Sequence, residues 1–353
     1  MKPGRNYSIK DIARLANVSI GTVDRVLHDR KGVSQTTKER VLAVIKKTGY
    51  KKNIMASRLK LASNHIIKIA VLLPEIKDDW SYWKWPKLGV TRAVSELLES
   101  GVRIKYFHFD ADLEESFQAN CRKILSENYS AIVTVPFMKD ASNELVKLAS
   151  VPVIFLDTYR SLNNSANFIH QDSHVAGMVA GRLLYNLVGE EGAYLVVNMT
   201  ENGIVRINCQ QRENGFRDFF SKNFPEKEFS IFSINHSLED SHSISEELSP
   251  IFTQENIRGL FVTNSRAFML REVMALLTDC FTVGFDLNYK NTELLREQEI
   301  HFIINQKPDY QGYMAIKGVY KYLTEGNKEG LNMKIPVEII VKENIPIYEI
   351  DTI

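Results

Sequence analysis

Cysteine is scarce in this chain: Cys121, Cys209 and Cys280 are far apart, odd in number and form no C-x-x-C pair. A disulfide framework and a zinc ribbon are not expected, and the three read as small buried apolar side chains. Long apolar runs are also missing. The best, 66–73, is interrupted by Lys68 and falls well short of a membrane span. Residues 1–6 place no apolar run after their positive charges, so no secretory leader is expected and a cytoplasmic location is. The chain contains no G-x-x-x-x-G-K, G-x-G-x-x-G or G-x-S-x-G, the signatures of phosphate cradles and nucleophile elbows. His108-x-Asp110 and His170-x-Asp172 resemble metal pairs, but each lies on or beside an expected strand with no third ligand. Neither a metal nor another cofactor is expected. The acid pairs Asp78-Asp79, Glu114-Glu115 and Glu190-Glu191 read as solvated loop or helix-start charge.

What is present is a 353-residue chain, 44% apolar and 25% charged, long enough for two or three folding units. Its net charge of +1 conceals an asymmetry. Residues 1–60 hold 15 Lys and Arg against 4 Asp and Glu, a net +11, so the remainder carries −10. A basic head on an acidic body points to a polyanion-binding module joined to a unit with a different task.

In the head, Ile9, Ile12, Ala13 and Ala16 recur at helical spacing behind a Ser8-x-x-Asp11 start signal. Asn17 tolerates the left-handed conformation that ends helices. Ser19 caps a second short helix from Ile20 to about His28. Ser34 caps a third, with Val41, Val44 and Ile45 inside and Gly49 at its end. Two short helices joined by a tight turn and buttressed by a third describe a helix-turn-helix, whose second helix enters a DNA major groove.

The run Ile9-Lys10-Asp11-Ile12-Ala13-Arg14-Leu15-Ala16-Asn17-Val18-Ser19, with Thr22-Val23-Asp24-Arg25-Val26-Leu27, Glu39-Arg40-Val41 and Gly49-Tyr50, closely resembles the head of the lactose-repressor (LacI) family. The resemblance implies that Ile20, Gly21 and Arg25 face base edges. A guanidinium can read guanine with two hydrogen bonds, which singles out Arg25. Lys10, Thr22 and Arg30 become candidate phosphate contacts, which position without specifying. Asp24 departs from the small hydroxyl residue usual there, and a carboxylate repels phosphate. Tyr50-Lys51-Lys52-Asn53 lacks the proline that family members often carry after the tyrosine.

Asn53 can cap a short helix over 54–60. In the family this is a hinge helix that orders on operator DNA, and Leu59 matches the leucine that wedges open a minor-groove base step. Residues 1–52 thus form the expected DNA-binding domain, 53–65 the hinge helix and linker, and 66–353 the effector-binding domain.

From residue 66, strands are expected at 66–73, 102–109, 131–135, 152–156, 167–171, 193–198, 229–234, 258–263, 281–285 and 301–304. Helices fall between, for example at 85–100, 113–127, 173–188 and 308–323. Such alternation means α/β with parallel sheets, and the length argues for two lobes with a cleft beyond the strands' carboxyl ends. The body resembles the family's periplasmic-binding-protein-like (type I) domain. Its landmarks are Arg212-x-x-Gly215-Phe216, Val262-Thr263-Asn264, Val283-Gly284-Phe285-Asp286 and Ile304-Asn305-Gln306-x-Pro308. The resemblance allots 66–166 and 305–335 to the first lobe, and 167–304 and 336–353, including a strand at 337–341, to the second.

A sugar has apolar faces and a polar rim, which suits aromatic rings and hydrogen-bonding groups together. Tyr82 and Trp83, within Asp79-Trp80-Ser81-Tyr82-Trp83-Lys84-Trp85, match a position where family members stack on sugars. Arg212, Asn264, Asp286 and Gln306 match the polar set that grips ring hydroxyls, and Asp157 and Trp80 are further candidates. Helix packing of the tryptophans and strand-end capping by the polar set are the plainer alternatives.

The expectation is a transcriptional regulator, most simply a repressor, whose grip on operator DNA is set by a sugar in the cleft; a nucleoside or another polyol is the alternative. It is expected to act as a homodimer, because no heptads follow 337–341. A transport-type solute-binding protein is disfavoured by the head. A sugar-directed α/β enzyme is disfavoured by the want of a base, nucleophile or metal constellation, so no enzymatic activity is expected.

Overall fold

The computed structural model describes residues 9–27, 32–48, 66–79, 81–162, 166–201, 203–238, 255–277 and 279–345, with a few single residues between 244 and 251. The head contains α1 (Ile9–Ala16), α2 (Ile20–Leu27) and α3 (Gln35–Thr48). Asn17 ends α1 at φ 49°, the left-handed region that asparagine enters readily. The Ser19 hydroxyl accepts from the Thr22 N–H at 3.1 Å, and that of Ser34 from the Thr37 N–H at 3.3 Å. Each accepts from an amide in the first turn of the following helix, where N–H groups lack carbonyls one turn back. Ile12, Ala13, Ala16, Val23, Val26 and Val41 are buried together. The expected helix end at Gly49 and the hinge helix at 54–60 lie outside the described residues.

The body holds two six-stranded sheets. The first contains β1 (Ile67–Pro74), β2 (Val102–Phe109), β3 (Ala131–Thr134), β4 (Val153–Asp157), β5 (Asn167–Gln171) and β11 (Met333–Ile335), in the order β11-β5-β4-β3-β1-β2. The second contains β6 (Ala193–Thr200), β7 (Ile231–Ser237), β8 (Ile257–Val262), β9 (Phe281–Phe285), β10 (Phe302–Asn305) and β12 (Glu338–Ile340), in the order β12-β10-β9-β8-β6-β7. Every pairing in the first is parallel; in the second only β12 runs antiparallel, against β10. Inner strands are buried along their length, as in β6 with all eight residues buried. That is why they read as apolar runs rather than alternating patterns.

One lobe boundary needs correction. Residues 167–171 were expected to open the second lobe, but β5 pairs with β4 and β11 in the first sheet. Phe168 stacks on Phe155 with centroids 5.4 Å apart and Ile169 is fully buried in the first core, so the chain leaves this lobe only after Gln171. The three-residue strand β11 was not anticipated.

The remaining helices are α4 (Lys84–Leu97), α5 (Glu114–Leu125), α6 (Lys139–Leu148), α7 (Ser173–Val188), α8 (Ile207–Asn223), α9 (Arg271–Leu276), α10 (Tyr289–Arg296) and α11 (Pro308–Glu325). In each lobe two helices pack backbone to backbone through glycine. A Cβ on Gly89 of α4 would stand 1.7 Å from the Asp309 carbonyl of α11, and one on Gly177 of α7 would stand 1.9 Å from the Arg212 carbonyl of α8. The second contact seats the backbone of Arg212.

Candidate functional site

The sheets present their carboxyl ends to one another through two aspartates. Asp157 is the last residue of β4, and Asp286 follows β9, the equivalent strand of the second sheet. Both have left-handed backbones, φ 72° and 62°, a conformation aspartate tolerates better than most residues. Both are buried, at 7% and 3% exposure.

The Tyr82 hydroxyl, just before α4, donates to Asp157 Oδ1 at 2.6 Å, and the Thr158 hydroxyl donates to Oδ2 at 2.7 Å. Asp286 accepts from the Gln306 N–H at 3.3 Å and from Gln306 Nε2 at 2.8 Å. Arg212, on α8 and 1% exposed, donates from Nη1 to the Thr263 carbonyl at 2.7 Å. Its guanidinium lies over the Phe285 ring, 3.9 Å from the centroid, a cation–π contact that suits a buried arginine. Arg212 Nε and Nη2 are buried without a hydrogen-bond partner among the described residues. An unmet buried donor costs about 1–3 kcal/mol, more when charged. These two are donors that oxygen acceptors of a ligand could satisfy.

These groups also influence one another electrostatically. Burial pushes the Asp286 carboxyl up to about 6, against the opposing pull of Arg212 and of the Gln306 hydrogen bonds, while Asp157 adds to the rise. Burial also holds the Tyr82 hydroxyl well above its usual range, with Asp157 and Asp286 adding to it and Arg212 opposing. Tyr82, Asp157, Arg212, Asp286 and Gln306 thus form one cluster drawn from both lobes.

Trp83 and Asn264 stand apart. Trp83 meets Tyr82 edge-on, with centroids 4.9 Å apart, and packs against the first lobe's core. Asn264 Nδ2 donates to the Met199 carbonyl at 2.7 Å and its Oδ1 accepts from the Arg266 N–H at 3.3 Å, so its amide fastens loops of the second lobe. His170 Nδ1 lies 2.9 Å from the Gln171 carbonyl, and burial lowers its proton affinity. No group of three metal-ligating side chains occurs among the described residues, and no helix among them is long and apolar enough to cross a membrane.

Two glutamines were not anticipated. Gln171 Nε2 donates to the Asn305 carbonyl at 3.0 Å and the Pro336 carbonyl at 3.2 Å. One buried side chain so ties together the three places where the chain passes between sheets. Gln311 accepts from the Asp157 N–H at 2.8 Å and donates to the Gln306 carbonyl at 3.0 Å, linking the two carboxylate sites. Nothing in their sequence context separates them from ordinary polar residues at element ends.

In the head, Ile20 is 45% exposed and Gly21 and Arg25 are exposed on α2, away from the core. Thr22 is half-buried with its hydroxyl 2.9 Å from that of Ser19. Lys10 lies in α1, but its side chain, that of Asp24, and Arg30, Trp80 and Leu59 altogether lie outside the described residues.

A helix-turn-helix joined to a two-lobed binding domain defines a class of regulator, and comparison with known proteins agrees. The family model "Periplasmic binding protein domain" matches residues 69–328, and "Bacterial regulatory proteins, lacI family" matches residues 8–53. The chain belongs to the lacI family of bacterial transcriptional regulators, with a periplasmic-binding-protein domain as its body. It is 21% identical over 350 residues to the ribose operon repressor of Lactococcus lactis subsp. lactis (strain IL1403), covering 96% of this chain and 98% of that one. The head region is 48% identical over 73 residues to the HTH-type transcriptional regulator RegA of Clostridium saccharobutylicum, a match to 21% of each chain. A crystal structure from Bacteroides fragilis, described as a LacI transcriptional regulator, superposes with a TM-score of 0.72 at 22% identity, covering 80% of this chain and 99% of that one. This last likeness speaks to the fold alone.

Proposed function

We propose that this DNA-binding regulator is a repressor controlled by a sugar bound between its lobes. The observation that carries the reading is Arg212, buried with two unmet donors over Phe285, the residue before Asp286. A polyol fits such a site because each hydroxyl both donates to a carboxylate and accepts from a guanidinium. Tyr82 and Gln306 orient the carboxylates and Trp83 supports Tyr82, while Asn264 shapes the rim. The name of the Lactococcus relative, a ribose operon repressor, points the same way.

In this reading residues 1–52 bind DNA, 53–65 form the hinge and 66–353 the sensor, in the cytoplasm. Two copies place two heads on a pseudo-palindromic operator. Ile20, Gly21 and Arg25 read bases, Lys10, Thr22 and Arg30 hold phosphates, and Leu59 opens a minor-groove step. Lobe closure, with Gln171 at the pivot, alters the spacing of the hinge segments and hence operator affinity. Asp286→Ala tests it: ligand response should vanish while operator binding persists. Retention of a full response in a folded variant would remove Asp286, and the cleft, from the mechanism. Arg25→Ala should cost about 1–3 kcal/mol in discrimination between operator and random DNA; undiminished specificity would withdraw Arg25 as a base reader.

A further inference from the structure

The first sheet carries a basic patch at the end away from the cleft. β1 and β2 run parallel and in register, with Lys68 opposite Arg103 and Ala70 opposite Lys105. Neighbouring strands lie about 4.8 Å apart, and residues in register share a face. Lys68, Arg103 and Lys105 are all exposed, and together they line one cavity of about 520 Å³, with Glu127 as its single carboxylate. Glu127 is taken: Lys105 Nζ meets its two oxygens at 2.8 and 3.0 Å. Arg103 Nη1 donates to the carbonyls of Leu98 and Val102, at 3.0 and 2.8 Å. Neither Lys68 nor Arg103 has a carboxylate partner among the described residues. Like charges opposite one another on adjacent strands cost stability, and these stand on a body whose net charge is −10. The plainest account of a lone lysine is solvation; an in-register cationic pair lining one cavity asks for an anion.

Position says which anion. Lys68 and Arg103 are the second residues of their strands, at the amino ends, whereas Asp157 closes the parallel strand β4 at its carboxyl end. The patch is therefore at the opposite end of the sheet from the cleft. The chain enters β1 directly from residues 53–65, read above as the hinge, and Lys68 comes three residues later, within about 10 Å of extended chain. A duplex held by that segment presents a phosphate charge about every 1.7 Å of its axis.

We propose that Lys68 and Arg103 form a second DNA contact, on the body rather than the head, gripping backbone phosphates of the duplex that the hinge engages. This rests on the DNA-binding reading above and extends it to the sensor domain. Phosphate contacts position without specifying, so the patch sets affinity and the seating of the first lobe, not base choice.

The test is fluorescence anisotropy of the full-length protein, over a salt series, on a labelled duplex that the wild type selects from a randomised library. Lys68→Gln and Arg103→Gln should each weaken binding about 3-fold or more at low salt and lower the slope of log affinity against log salt by about 1. The ranking of single-base variants of the duplex should not change. Lys68→Glu should weaken binding further and yet raise the melting temperature of the free protein, because it sets a carboxylate opposite Arg103. A merely structural role for Lys68 would move both in the same direction. Affinity and salt slope unchanged in Lys68→Gln and Arg103→Gln would overturn the proposal and leave the DNA reading standing. A protein that selects no duplex would remove the DNA reading and this proposal with it. If inorganic phosphate stabilises the wild type but not Lys68→Gln, and DNA binding ignores the substitution, the cavity is a small-anion site and the duplex contact is refuted.

Discussion

The two lobes of the body are variations on one plan. Each has a sheet with the same strand order, a glycine-locked helix pair, and an aspartate in left-handed backbone beyond the equivalent strand. They differ in what surrounds the aspartate. In the first lobe Asp157 is held by the hydroxyls of Tyr82 and Thr158. In the second, Asp286 is held by Gln306 and faces the buried Arg212. The scaffold fixes where the carboxylates stand. The neighbours decide what each can do, and beside Asp286 it is Arg212 that brings two buried guanidinium donors with no hydrogen-bond partner among the described residues.

If the helix pairs are equivalent, Gly177→Ala and Gly89→Ala should each cost about 3 kcal/mol or more, because the added methyl meets backbone carbonyls that cannot move alone. Urea unfolding of both variants checks this; a negligible cost in one lobe would show that its helices are not locked. The next effect belongs to Asp286. Its carboxyl, raised from 3.8 to about 6, binds more protons in the folded than in the unfolded chain between these values. Stability should therefore fall as pH rises from about 4 to about 6, by up to about 3 kcal/mol, and Asp286→Asn should flatten that part of the profile. An identical profile in the variant would place Asp286 in water. Tyr82→Phe removes a hydroxyl bonded to a carboxylate and should cost about 2 kcal/mol in stability, with weaker ligand binding; calorimetry reads both. Gln171→Ala should cost least, about 1 kcal/mol, yet change the ligand's effect on operator affinity more than ligand affinity itself. Equal changes in both would deny Gln171 a role as pivot.

Local chemistry made much of this legible in the sequence. Ser19, Ser34 and Asn17 carry their cap and stop signals within a few residues of the structure they specify, and each acts as expected. The inner strands announce themselves as apolar runs because both faces are covered. Tyr82, Asp157, Arg212, Asp286 and Gln306 were accessible through strand-end position and family landmarks, and the fold brings them together. What depends on long-range pairing was hidden. Residues 167–171 look the same whichever sheet they join, and only pairing with β4 and the three-residue β11 decides it. Gln171 takes its role from two carbonyls, and Gln311 from a backbone N–H, more than 130 residues away in sequence.

The most direct measurement is operator affinity of the full-length protein at fixed salt, with and without a saturating cleft ligand, set beside ligand affinity with and without operator. The account predicts that the two ratios are equal and differ from one, since coupling between sites is reciprocal. A ligand that binds the cleft tightly and leaves operator affinity unchanged would contradict it.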